Sequence, residues 1–525
     1  MRPKVAFLTM EMLVPDLPEP QCGANFRGGL GILSGDIMAG LPDVKIDGVG
    51  FCPLYHRPWF NRNLELSYDN CSAVSQRIVV DIYGRDYIVY VRNLRHRKNQ
   101  LIYGLECPEI WDVLYTEDRR KRLLQEILMA KAVRKVLKIT NFIPDVAWLN
   151  ESHTALFIAL LRSDSIFAKT KSLFTIHTPE HAGMERFYDY RFEGLGVDFN
   201  QYSQIFIKND VLDFTWAAMV LADMVNAVSQ EHCCVTRDMF PQFSSKITGI
   251  RNGIDSNFWM YPELAGFVRD KNEITISALL EIHRKARLHA LSFINHQNGL
   301  KLESDTKPTA WFVRRLAAYK NLHPILVESG VLFAACADRG VSVSTPLGQL
   351  DGLGMQIVGA GMAAETDNTC LWWMSEFNRI AREALPGRFI FLPKYSLELL
   401  RIGAWGSDVW LVTPEPKREA CGTSDQRAVI NGIPVITTKT GGMAEYIQEF
   451  NPENGEGNGF FIDPYNARTL YEKLKLFSNF WYKWHNDNGD NPYSRLKLNA
   501  FNSGRALDIR LTLKKYRRLF IKLIK

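Results

Sequence analysis

The chain has 525 residues, 46% hydrophobic and 23% charged, with a formal net charge of +6. That length is too great for one core and points to two or three domains of ordinary soluble composition. A charge this mild gives no argument for nucleic acid, and nine cysteines, odd in number and without a CxxC pair, argue against a disulfide framework and for reduced thiols in a cytoplasmic protein.

Taken in order, the first apolar run, residues 5–10, predicts a buried strand and is too short for a signal peptide. Runs at 145–149, 173–177, 224–228 and 247–250 predict four more strands, each followed by a turn or a helical pattern. A charged helical stretch at 279–302 predicts a linker region. Strands then restart at 309–313, 356–358, 389–392, 409–412 and 434–437. Such alternation predicts an α/β protein with two doubly wound parallel sheets in series. The expected domains are 1–300, 301–480 and a closing helical segment, 481–525. Ligands of such sheets lie beyond the carboxyl ends of the strands, so a cleft between the halves is the expected site. Residues 485–491 (HNDNGDN) read as a polar loop. Residues 511–525 carry six Lys or Arg and no acid, with Leu513, Tyr516, Phe520 and Leu523 at helical spacing. This basic amphipathic helix either packs its apolar stripe on the protein or lies on an anionic membrane surface. No run is long enough to cross a bilayer.

Four segments carry chemistry. Phe26–Asp36 (FRGGLGILSGD) is a glycine loop entering a helix, where the backbone at Gly28 and Gly29 can approach an anion. It is neither GxGxxG nor a Walker loop. Arg315 and Lys320 follow the first strand of the second half and together can hold a phosphate by a fork and a point charge. Glu419 precedes a Gly422-Thr423-Ser424 turn that offers amides and hydroxyls. Residues 440–445 (TGGMAE) repeat a flexible loop followed by an acid, Glu445. His153 and His177 each end a predicted strand. Without HExxH or a Cys/His cluster, no metal site is expected.

In order along the chain, these segments resemble the α-glucan (glycogen, starch, maltodextrin) phosphorylases of the GT-B superfamily. The resemblance is carried by AFLTMEM (6–12), GGLGILSGD (28–36), GVGFCPLYHRPWFN (48–61), LNESH (149–153), FTIHTPEHAG (174–183), VNAVSQEH (225–232) and RNGIDSNFW (251–259). It continues through VRRLAAYKN (313–321), FIFLPKYSLELL (389–400), GSDVWLVTPEP (406–416), EACGTSDQRA (419–428) and the closing segment 494–516. It implies a GT-B fold, two facing Rossmann-like domains with the last helix crossing back to the first, and retaining transfer of an α-linked hexose. Carried over residue by residue, it implies that His177, Asn252 and Glu419 contact the sugar, with Arg315, Lys320, Tyr395, Thr423 and Ser424 around the phosphates.

The sequence departs from that family at Arg427, where phosphorylases carry the lysine that binds pyridoxal phosphate as a Schiff base. A guanidinium stays protonated and supplies no free amine, so no covalent cofactor is expected. Met362 stands where the family usually has lysine, and TGGMAE is closer to the Gly-Gly-x-x-Glu loop of nucleotide-sugar transferases such as glycogen synthases. A nucleotide-diphosphate sugar brings both phosphates itself, and Arg427 is expected to hold its distal phosphate or ribose. The expected activity is therefore nucleotide-sugar-dependent hexosyl transfer to an unspecified acceptor. The alternatives are phosphorolysis releasing glucose 1-phosphate, and a non-catalytic carbohydrate- or partner-binding protein.

Overall fold

A computed structural model describes residues 1–179, 184–188, 202–269, 273–297, 301–303, 306–487 and 491–525. Its contacts divide the chain into unit 1, Met1–Gly253 with Ile509–Lys525, and unit 2, Ile254–Asp508.

Unit 1 is built on a nine-stranded sheet. Largely buried segments give β1 (Lys4–Leu8), β2 (Asp47–Leu54), β6 (Val146–Asn150), β7 (Lys171–Ile176) and β11 (Met224–Ala227), with the part-buried β12 (Ile247–Gly249) at the edge. The hairpin β3 (Val74–Ile82) and β4 (Arg85–His96) joins through β5 (Gln100–Glu106), giving the order β12-β11-β7-β6-β1-β2-β5-β4-β3. β5-β4-β3 is antiparallel and the rest parallel. Tyr83 and Gly84, at φ 55° and 75°, make the two-residue turn between β3 and β4. A small antiparallel sheet holds β8 (Arg186–Phe187), β9 (Ile207–Lys208) and β10 (Val211–Asp213). The five strands expected in this half are present, whereas 47–106 had given no strand signal. β2 contains Gly48 and Gly50 because helix α1 (Gly29–Gly40) and the turn after it lie close on it. A Cβ on Gly48 would stand 2.3 Å from Leu41 and one on Gly50 3.1 Å from Met38.

Unit 2 restarts the same logic with β13 (Thr309–Val313), β16 (Gln356–Ala360), β17 (Phe389–Leu392), β18 (Val409–Val412), β19 (Val435–Thr437) and β20 (Gly459–Phe461). They form a parallel sheet in the order β17-β16-β13-β18-β19-β20, while β14 (Ser342–Thr345) and β15 (Gly348–Asp351) pair separately. The division at 253/254 differs from the boundary expected near 300. Helix α2 (Ile276–Asn295) belongs to unit 2, packed so closely on helix α3 (Leu397–Gly406) that a Cβ on Gly406 would stand 2.4 Å from Ala290 Cβ. A buried carboxylate fixes this join. Asp408 accepts from Arg287 Nε (3.0 Å), His283 Nε2 (3.3 Å), Thr309 N (2.8 Å) and Oγ1 (2.9 Å), and Tyr493 Oη (3.3 Å). Burial opposes its charge, but Arg287 and His283 prevail and hold it far below the usual carboxylate range.

The closing segment expected over 481–525 is divided. Residues 485–487 form the last part of a helix, Ala467–Asp487, rather than a polar loop; 488–490 of that expected loop lie outside the described residues. Helix α4 (Pro492–Gly504) stays in unit 2, and helix α5 (Ile509–Ile524) returns to unit 1. Its stripe of Leu513, Tyr516 and Phe520 is buried. Trp148 lies 4.3 Å from the Tyr516 ring and 5.4 Å from Phe520, and Asn226 Nδ2 donates to Tyr516 Oη at 2.7 Å. The apolar face is thus spent on unit 1, which leaves Lys514, Lys515, Arg518, Lys522 and Lys525 exposed. Among the described residues no helix is long and apolar enough to cross a membrane.

Removing the Asp408 carboxylate (Asp408→Ala) takes away the charge opposite buried Arg287 and is expected to cost about 3–5 kcal/mol. The loss should appear as a lower melting temperature of unit 2 by calorimetry, with Asp408→Asn between the two.

Candidate active site

In a doubly wound sheet, ligands sit outside the carboxyl ends of the strands where the chain reverses its direction of winding. In unit 1 the chain passes from β1 to β2 on one side and later to β6 on the other, so the reversal lies at the ends of β1 and β6. Asn150 ends β6 there. Its Nδ2 donates to Ser34 Oγ (3.0 Å) and Thr9 Oγ1 (3.3 Å), leaving Oδ1 to face His177 Nε2 at 2.7 Å. The ring therefore donates from Nε2 and carries its lone pair on Nδ1. Burial, helped by nearby His232, brings His177 down to about 3, so it is neutral. Glu151 accepts the His177 main-chain N–H at 2.8 Å. Of FTIHTPEHAG, residues 180–183 lie outside the described residues.

His153 sits in a different network. Arg122 Nη2 donates to its Nε2 at 3.1 Å and also pairs with Glu185, and burial brings His153 down to about 4. Its accepting nitrogen is taken by protein. Gly28 caps α1 in an extended conformation with open space where a Cβ would stand, and Gly29 is exposed. The loop before them is pinned by Glu11, which accepts Arg27 N (2.7 Å) and Tyr115 Oη (2.8 Å). Asn252 is buried just beyond β12, its N–H donating to Val228 O at 3.3 Å.

In unit 2 the reversal lies between β13 and β18, and the second set of expected residues follows those strands. After β13, Arg314 turns inward to the Leu411 carbonyl. Arg315 is half-buried, and its guanidinium makes no hydrogen bond or ion pair among the described residues. The turn Ala318–Lys320 ends at Asn321 in the left-handed region (φ 52°). It is tied to β18 by Thr413 Oγ1 donating to Lys320 O (2.9 Å), and by Asn321 to Tyr465 (2.7 Å) and Tyr465 to Thr413 O (3.0 Å). Lys320 forms an ion pair with Glu419. Burial alone would pull this ammonium down, but the carboxylate overrides it and holds Lys320 above the usual lysine value.

The TGGMAE loop turns out to be the support beneath Glu419. Gly441 (φ 55°) lies so near that a Cβ would stand 2.1 Å from Glu419 O, and one on Gly442 2.3 Å from Cys421 Sγ. Lys417 N donates to Thr440 Oγ1 at 2.8 Å and Gly442 N to Ala420 O at 3.1 Å. Glu445 itself is exposed, and Tyr395 is buried. Gly422 leads into the short helix Ser424–Val429. Ser424 Oγ accepts from Trp410 Nε1 (3.0 Å) and Thr423 Oγ1 from Arg427 Nη1 (3.3 Å).

Arg427 corrects the expectation that it holds a phosphate or ribose. It is 1% exposed, with its guanidinium 4.9 Å over the Trp259 ring. Asn431 locks that arrangement, donating to Trp259 O (3.1 Å) and Arg427 O (2.9 Å). The helix turns position 427 toward Trp259, a contact whose direction no motif discloses. These residues do not fit pyridoxal phosphate: the position for its lysine holds a buried, stacked guanidinium. Among the described residues no group of three or more His, Cys, Asp or Glu is placed to hold a metal.

Asp425 accepts from Tyr446 Oη, and burial, with Glu419 adding, pushes its carboxyl up to about 7. Because its folded value lies above the ordinary aspartate value of 3.8, the stability it contributes is present in acid and lost as pH rises through about 7. Asp425→Asn, which stays neutral, should therefore melt higher than the parent at about pH 8, by about 1 kcal/mol or more, with the gap closing toward about pH 5.

Residues 4–240 match the family model described as starch synthase catalytic domain. A glycogen synthase from Treponema denticola is 27% identical over 68% of this chain and 68% of its own length. A glycogen phosphorylase from Mycobacterium bovis is 24% identical over 86% of this chain, and a maltodextrin phosphorylase from Thermococcus litoralis 23% over 82%. The chain spans only 62% and 60% of those two phosphorylases. The solved catalytic domain of starch synthase IV from Arabidopsis thaliana, bound to ADP and acarbose, superposes on the whole chain with a TM-score of 0.76 at 17% identity. With its two doubly wound sheets the chain has the GT-B fold, and its sequence is similar to glycogen synthases and to α-glucan phosphorylases alike.

Proposed function

We propose that the protein transfers a hexose from a nucleoside-diphosphate sugar to a hydroxyl acceptor with retention of the α configuration. The observation that carries this reading is the Lys320–Glu419 ion pair, with Arg315, five residues earlier in the chain, making no ion pair among the described residues. A donor diphosphate offers Lys320 a stronger anion than Glu419. When it takes the ammonium, the carboxylate is released to accept a sugar hydroxyl, so phosphate and sugar are recognised together. Arg315 and Lys320 then neutralise the departing diphosphate. Thr423, Ser424 and the Gly422 backbone flank it, with Tyr395 beside them. For unit 1 the proposed roles are sugar contacts by His177, His153 and Asn252, and open backbone at Gly28 and Gly29 for phosphate oxygens. A neutral His177 brings a lone pair, not a cation, to positive charge developing at the anomeric carbon. The ADP and acarbose of the starch synthase neighbour are the ligand classes this reading extends to the present chain.

Phosphorolysis is the second reading, favoured by the larger share of this chain that the phosphorylases match, 86% and 82% against 68%. The buried Arg427 argues against its usual cofactor. The two readings separate on products. Incubation with UDP-, ADP- and GDP-hexoses should release nucleoside diphosphate, whereas glycogen with phosphate should release no glucose 1-phosphate. Failure of every donor, or release of glucose 1-phosphate, overturns the proposal. Lys320→Ala is expected to lower kcat/KM for the donor by about 10²–10³, and Arg427→Lys to bring no pyridoxal phosphate absorbance.

A further inference from the structure

Glu151 stands where the fold favours glycine. Its backbone lies at φ 74° and ψ 161°, a region that side-chain-bearing residues enter only at a cost. Yet the side chain there is a carboxylate only 5% exposed. Burial of that kind is tolerated where donors surround the group, and three do: Ser152 N at 2.9 Å, His177 N at 2.8 Å and Thr178 Oγ1 at 3.1 Å. The residue's own N–H donates to Thr175 O at 2.9 Å. Every one of these bonds ties the end of β6 to itself or to the end of β7.

The unusual backbone has a geometric result. Successive side chains of a strand point to opposite faces, so Asn150 and Glu151 in regular β geometry would not address the same neighbour. Here both reach His177. Asn150 Oδ1 takes the ring nitrogen at 2.7 Å, and Glu151 Oε2 takes the main-chain N–H. The left-handed step at 151 lets two adjacent residues grip one histidine by ring and backbone.

We infer that Glu151 is a positioning residue for sugar transfer, holding the 177–178 backbone so that His177 keeps its proton on Nε2 and presents the Nδ1 lone pair. This rests on the transferase reading above for its kinetic consequence, but not for its structural one. Glu151 need touch no substrate. Burial raises its carboxyl above the usual value, opposed by the three donors around it.

The test uses the full chain labelled with ¹⁵N-histidine, with the His177 signal identified from a His177→Gln variant. Glu151→Gln keeps the length of the side chain but offers one oxygen and an NH2 to three donors. Its His177 nitrogen shifts should move from a single Nε2–H form toward a tautomer mixture. The kcat for transfer should fall about tenfold to a hundredfold with little change in donor KM. Glu151→Gly, which relieves the backbone, should melt above Glu151→Ala while showing the same kcat loss and the same shift change. Should Glu151→Gln fail to fold, the glycine variant supplies both readouts. Unchanged His177 shifts overturn the inference, as does a kcat within about twofold of the parent where the parent is active. If the parent transfers no sugar, the proposed function fails separately, and the histidine shifts alone decide this one.

Discussion

A lysine ammonium taken largely out of water must find a counter-charge, and Glu419 supplies it to Lys320. Much of unit 2's carboxyl edge is arranged around that pair. Thr413, Asn321 and Tyr465 fix the turn that carries the lysine, and the two glycines of the 440–445 loop lie beneath the main chain that carries the glutamate. The same demand is met differently elsewhere. Arg427 is covered by Trp259 and Thr423, and Asp408 gathers donors from two helices and a strand. Of these, the Lys320–Glu419 pair is the one a phosphate can replace, because its lysine loses nothing by exchanging one anion for another.

The parallel strands were legible because a strand buried on both faces must be apolar throughout, and such runs stand out between helical stretches. β13, β17 and β18 keep the bounds their apolar runs predict. The region 47–106 was not legible. β2 carries two glycines and a proline, and β3 alternates buried with exposed residues on an edge, so neither gives a continuous run. The domain boundary failed for another reason. α2 looks like a linker because its exposed face carries Glu281, Arg284 and Lys285, but His283 and Arg287 on its inner face serve Asp408, about 120 residues away in sequence.

For the site, residue type was readable and direction was not. The motifs located the strand ends, and winding reversal puts Arg315, Lys320, Glu419, Asn150 and His177 at those ends in their respective units. Residue type at 427 shows that no Schiff-base amine is present, but not that the side chain points into a core, which depends on Trp259, 168 positions earlier. Glu151 lies inside the LNESH motif without a signal of its own, since a positive φ leaves no mark on a sequence when the residue is not glycine.

Arginine at 427 also bears on how a synthase-like and a phosphorylase-like chemistry can share one sheet. A Schiff-base lysine needs a neutral amine and room for an aldehyde, and both vanish when a charged planar group is stacked on an indole. The stack adds cohesion to the segment around Trp259 while removing the only amine at that position. On the proposed reading a pocket without a covalent cofactor has cation to spare, and the half-buried guanidinium of Arg315, without an ion-pair partner among the described residues, is the proposed surplus. A substrate carrying two phosphates balances it, whereas inorganic phosphate alone balances only part. On the proposed reading, loss of the lysine and use of a diphosphate donor are two sides of one charge balance.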